Sequence, residues 1–142
     1  MALENIVGGV TLTGAEFFDS SGKPVDEIAS GATLDVRVRY RADRPVAQPV
    51  FGFSLATEGG LLVYGSNTQI GGHSISSISG EGVVRFTLGP VVIAPGRYLF
   101  SFSVHSADHL INYHRLEHRF PFIIAGERTY EGAYIPVRWE GP

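Results

Sequence analysis

A two-residue alternation of apolar and polar side chains recurs along this chain, broken at intervals by clusters rich in Gly, Pro, Ser and Asp. Successive side chains on a strand point to opposite faces, so each such run predicts a strand with one buried face. In TLDVRVRYRA, Leu34, Val36, Val38 and Tyr40 share one face, and Asp35, Arg37, Arg39 and Arg41 the other. In VFGFSLAT, Phe51, Phe53 and Leu55 alternate with Gly52, Ser54 and Ala56. VVRFTL, RYLFSFSVH and RFPFII repeat the pattern through Val84, Phe86 and Leu88, then Tyr98, Phe100, Phe102 and Val104, then Phe120, Phe122 and Ile124. VTLTGAEFFD near the start and AYIPVRW at the end add two more strands, and no window carries a helical period.

Between these runs lie Asp19-Ser20-Ser21-Gly22, Arg44-Pro45, Glu58-Gly59-Gly60, Gly71-Gly72, Ser79-Gly80, Ala94-Pro95-Gly96 and Ser106-Ala107-Asp108. Glycine supplies positive φ and proline presets φ, so each cluster predicts a reversal. About eight or nine short strands with such turns predict an all-β, immunoglobulin-like antiparallel β-sandwich, with a closed barrel as the alternative. The 142 residues fit a single domain spanning 1–142. The segment AGERTYEGA, 125–133, reads as a linker to the last strand, 133–139, which pairs either within its own chain or by exchange with a partner subunit.

Composition narrows the chemistry. Eleven Lys and Arg against fourteen Asp and Glu give a formal charge of −3, without the concentrated positive field that nucleic acid requires. With no cysteine there is no disulfide, thiolate metal site or cysteine nucleophile, which suits a reducing cytosol. The N-terminus MALENIVGGVTLTG lacks the pattern of a signal peptide, and no stretch reaches the roughly 18 apolar residues of a membrane helix. No phosphate loop and no G-x-S-x-G elbow is present, so neither catalytic residues nor a cofactor is expected. His105, His109, His114 and His118 cluster beside Asp108 and Glu117, but without the spacing of a helical zinc pair. They read as surface histidines on a hairpin, with metal-assisted hydrolysis the weaker alternative. Arg37, Arg39 and Arg41 read as a solvated face paired with carboxylates of the next strand.

The outward positions Gly52, Ser54 and Ala56 of one strand and Ser101 and Ser103 of another are unusually small. If the strands are neighbours, they form a shallow polar trough, to be covered by a loop, by a dimer partner, or by a neutral polymer. The stretch LLVYGSNTQIGG, 61–72, adds a ring, hydroxyls and amides. Aromatic rings stack on sugar rings, and Asn, Gln and Ser match sugar hydroxyls without charge. The expected ligand-binding residues are Tyr64, Asn67, Thr68, Ser103, His105, Asn112, Tyr113 and Trp139, with no metal ligand among them.

Several motifs in order carry a resemblance: DSSGKP at 19–24, SGATLDVRVRY at 30–40, PVFGF at 49–53, VYGSNT at 63–68, PGRY at 95–98, the aromatic hairpin FSVH…NYHRLEHRFPF, and the closing RWE. Over nearly its whole length the chain resembles the C-terminal domain of bacterial O-antigen exporter ATPases of the Wzt type. The resemblance implies an immunoglobulin-like sandwich that binds O-antigen polysaccharide, including any chain-terminating group, for export by an ABC transporter. It also implies a homodimer that works beside an ATPase domain and a membrane subunit, cytoplasmic and peripheral to the inner membrane. The ATPase domain lies outside these residues, so Met1 marks either a fragment or a separately encoded module. The alternative is an immunoglobulin-like spacer or dimerisation domain with no sugar site.

Overall fold

The computed structural model describes residues 8–126 and 135–142. Among them are nine strands and no helix: β1 (Val10–Phe18), β2 (Glu27–Ala29), β3 (Leu34–Ala47), β4 (Val50–Thr57), β5 (Leu62–Asn67), β6 (Ser77–Leu88), β7 (Gly96–His105), β8 (Asn112–Ala125) and β9 (Val137–Glu140). They form two sheets, ordered β1-β3-β6-β9 and β2-β8-β7-β4-β5. This is the expected sandwich. Every pairing is antiparallel except that of β2 with β8, which is parallel. The sequence did not mark β2, because three residues cannot show a period.

The apolar stripes meet between the sheets. Val36, Val84, Phe100, Phe102, Phe122 and Val104 are almost wholly buried. Phe17 of β1 crosses to Phe100 and Phe122 of the facing sheet at centroid distances of 5.0 and 5.3 Å. Phe53 stacks on Phe86 at 4.7 Å, which ties the sheets at the other end. Such rings bury large apolar areas in tilted or offset contacts, so they dominate the cohesion of the two layers.

Two expected reversals are not turns. Arg44-Pro45 and Ser79-Gly80 lie inside β3 and β6, where the ladder slips between Ala42 and Val46. Gly80 takes φ 69°, and proline has no N–H to offer a ladder, so both signals serve one irregularity that lets two long strands bend together. In PGRY, the Tyr98 hydroxyl donates to the Ala94 carbonyl at 2.5 Å and pins the entry to β7.

The arginine row on β3 is an outer face. Arg39 pairs with Glu16 of β1 at 2.8 Å, Arg41 with Asp43 at 3.4 Å, and the Arg37 guanidinium lies 4.2 Å over the Phe18 ring. The final strand β9 lies antiparallel on β6, with Trp139 opposite Phe86. Most of the linker before it, 127–134, falls outside the described residues, as does the start of the expected strand at 133.

Candidate functional site

The two small-residue strands are neighbours. β4 pairs with β7 so that Gly52 faces Ser103 and Ser54 faces Ser101. On its other side β4 pairs with β5, which sets Asn67 beside Gly52 and Gly65 beside Ser54. The result is a groove of about 360 Å³ on the outer face of the five-stranded sheet. Glycine keeps its floor low: a Cβ on Gly52 would lie 3.1 Å from the Ser103 hydroxyl and 3.3 Å from the Asn67 Cβ, close enough that these neighbours would have to shift. His105 and Arg115 line the groove toward β8, and Leu62 and Ile70 stand exposed on its β5 side.

The groove is close to electrically neutral. Arg115 is paired with Glu117 at 2.6 Å, and that bond holds the Glu117 carboxyl below its usual range. Burial pushes the His105 imidazole below its ordinary value, with smaller contributions from His109 and Arg115. Its Nδ1–H donates to the Ser106 carbonyl at 2.8 Å, which leaves Nε2 as an acceptor. His109 packs against His105 with tilted rings whose centroids are 4.4 Å apart, and it donates through Nε2 to Gln69 Oε1 at 2.6 Å. Gln69 in turn donates to the Ala107 carbonyl at 3.1 Å. The loops 68–77 and 106–111 are thereby tied at one end of the groove.

The expected ligand residues divide into two groups. Asn67, Ser103 and His105 line the groove. Asn67 also turns the chain, since its Oδ1 accepts the Ile70 N–H at 2.7 Å. Asn112 lies across the ladder from His105, and its buried Oδ1 has no protein partner among the described residues. The others lie in or against the interior. Thr68 is 1% exposed, and its hydroxyl accepts the Phe51 N–H at 3.2 Å, closing the end of the β4–β5 ladder. Tyr113 is buried in the core cluster, and so is Trp139. The Trp139 ring lies 4.6 Å from Phe86 and 5.9 Å from Phe53, and Gly71 covers its edge. It therefore has no open face for a sugar. Tyr64, half-buried, sits opposite Leu55 and packs toward Phe53 at 6.1 Å, on the side of the sheet away from the groove.

Sequence reasoning missed Gly65, Arg115, Leu62 and Ile70 as groove residues. The only signal for the first was its place two residues before Asn67, on the same strand face. The four histidines do not converge. His114 turns to β1, where its Nδ1 accepts the Leu12 N–H at 2.8 Å, and His118 sits in a bulge with its N–H on Ser101 Oγ at 2.7 Å. Among the described residues no three metal-ligating side chains come together.

The chain is a two-sheet β-sandwich with a shallow groove on the outer face of the five-stranded sheet. The family model of the Wzt C-terminal domain matches residues 6–134, and the chain belongs to that family. A solved structure, described as the crystal structure of the C-terminal domain of wzt, superposes with a TM-score of 0.79 at 18% identity, covering 89% of this chain and 80% of that one. No curated protein matches the chain.

Proposed function

We propose that this domain is a non-catalytic carbohydrate-binding module that recognises O-antigen polysaccharide, including its terminal group, for export by an ABC transporter. In that setting it works as a homodimer at the cytoplasmic side of the inner membrane, next to an ATPase domain and a membrane subunit. The observation that carries the reading is the groove floor: Gly52, Ser54 and Ser103 leave room where a solvated sheet face normally carries long charged side chains. Asn67 and Ser103 offer paired donor and acceptor groups to sugar hydroxyls, and neutral His105 offers an acceptor. The contacts are polar and shallow, so each site binds weakly, because displaced water returns much of the gain.

The test is ligand-observed NMR of the purified domain with the source organism's own surface polysaccharide and with an unrelated one. Selective contact with the native polymer, lost in Ser103→Arg while the circular dichroism spectrum and dimer are kept, is the expected result. Equal silence toward both polymers from a folded domain refutes the reading. Loss of the dimer in Ser103→Arg would instead make the groove a subunit interface.

A further inference from the structure

A second cavity, of about 440 Å³, opens at the end of the sandwich where β3 turns into β4. Its volume falls in the range of small-ligand sites. The buried side chains of Val50, Thr68 and Ile75 form its floor. Gln48, Gln69, His73, Ser74 and Ser76 stand around its rim and supply amides, an imidazole and hydroxyls. Among the described residues no Asp, Glu, Lys or Arg lines it. An apolar floor under uncharged hydrogen-bonding groups matches a neutral polyhydroxylated ring, which carries C–H groups on its faces and hydroxyls on its edge. A charged ligand would lose water here and meet no opposite charge.

The walls of this cavity are fixed by the backbone. The Gln48 N–H donates to the Ser76 carbonyl at 2.9 Å and joins the β3–β4 turn to the loop before β6. The His73 N–H donates to the Thr68 carbonyl at 2.8 Å. The His73 Nε2 contacts the Gly141 carbonyl, which can only accept, so Nε2 holds the proton and Nδ1 is left as an acceptor. Gln48 takes φ 50°, a conformation that few residues other than glycine adopt. Glycine would make the same turn without steric cost. Glutamine sets an amide on the rim at the expense of local strain, and strain of this kind collects at positions that hold ligands.

Groove and cavity share a wall. In the turn at 67–70, Asn67 and Ile70 line the groove, whereas Thr68 and Gln69 line the cavity. His105 and Ala107 divide in the same way, and the Gln69 amide closes the wall on the Ala107 carbonyl at 3.1 Å. We propose that the cavity is a second carbohydrate subsite, holding one neutral sugar residue of a chain that leaves the groove across this wall. The inference rests on the carbohydrate reading of the groove. Two linked subsites hold one chain more tightly than either does alone.

The probe is a set of oligosaccharides of graded length, released by partial hydrolysis from the source organism's own surface polysaccharide. Binding is read from amide shifts in two-dimensional NMR spectra of the isotope-labelled domain. Short fragments should shift Gly52, Gly65 and Ser103 alone. Longer fragments should also shift Gln48, Ser74 and Ser76 and bind more tightly. Gln48→Gly and Ser76→Leu should weaken binding of the long fragments about three- to tenfold, the effect of one lost hydrogen bond, and leave the short ones unchanged. Both side chains are exposed, and Gln48→Gly relieves strain, so thermal melts should match the parent. Long fragments that shift only groove amides, or that bind both variants as tightly as the parent, overturn the proposal and leave the groove reading standing. A parent domain silent toward every fragment overturns both.

Discussion

Replacing Trp139 by alanine separates a packing residue from a sugar platform. The indole is 9% exposed, lies 4.6 Å from Phe86, and has Gly71 against its edge, where an added Cβ would fall 2.5 Å from Cδ1. Truncating a buried tryptophan costs about 3–5 kcal/mol, because neighbours fill the cavity only in part. Unfolding entropy near the midpoint is about 2.1 cal/mol/K per residue, so 142 residues give about 0.3 kcal/mol/K. The loss should therefore lower Tm by about 10–17 °C. Far-UV circular dichroism is the assay, since the only tryptophan has been removed. Trp139→Phe should cost much less, because it keeps an aromatic ring on Phe86 and deletes a buried N–H that has no partner among the described residues. If Trp139→Ala instead keeps Tm within about 2 °C and loses polysaccharide binding, the ring is a ligand contact and the packing argument fails.

Two further predictions concern stability. Thr68→Val keeps the shape of the side chain but strands the Phe51 N–H, so unfolding in urea should show a loss of about 1–3 kcal/mol with polysaccharide binding intact. Burial holds the His114 imidazole below its ordinary value of 6.5, and its neutral Nδ1 accepts the Leu12 N–H. The unfolded chain therefore takes up the proton first as pH falls. The stability due to this group is present above about pH 6.5 and is lost as pH drops through the lower folded value, with buried His105 adding in the same direction. Denaturant melts between about pH 7.5 and 5 should show that decline, shallower in His114→Phe. A rise in stability over that window would contradict the assignment.

The alternating runs determined the two-sheet architecture. Leu34, Val36, Val38 and Tyr40 are buried as their spacing requires, because a strand fixes the face of every second residue. The same logic predicted the groove floor once Gly52, Ser54, Ser101 and Ser103 stood out as small. Adjacency was another matter: pairing of β4 with β7 joins residues about fifty positions apart, and only the tertiary structure places Gly52 against Ser103. Residue type alone did not show burial. Trp139, Tyr113 and Thr68 have the chemistry of ligand contacts, but the sheets close over them, and a buried ring or hydroxyl serves its neighbours. Arg44-Pro45 and Ser79-Gly80 look like turns one at a time and become a bulge only because they face each other across a ladder. Local spacing fixes which way a side chain points, whereas what it meets there depends on strands brought from elsewhere in the chain.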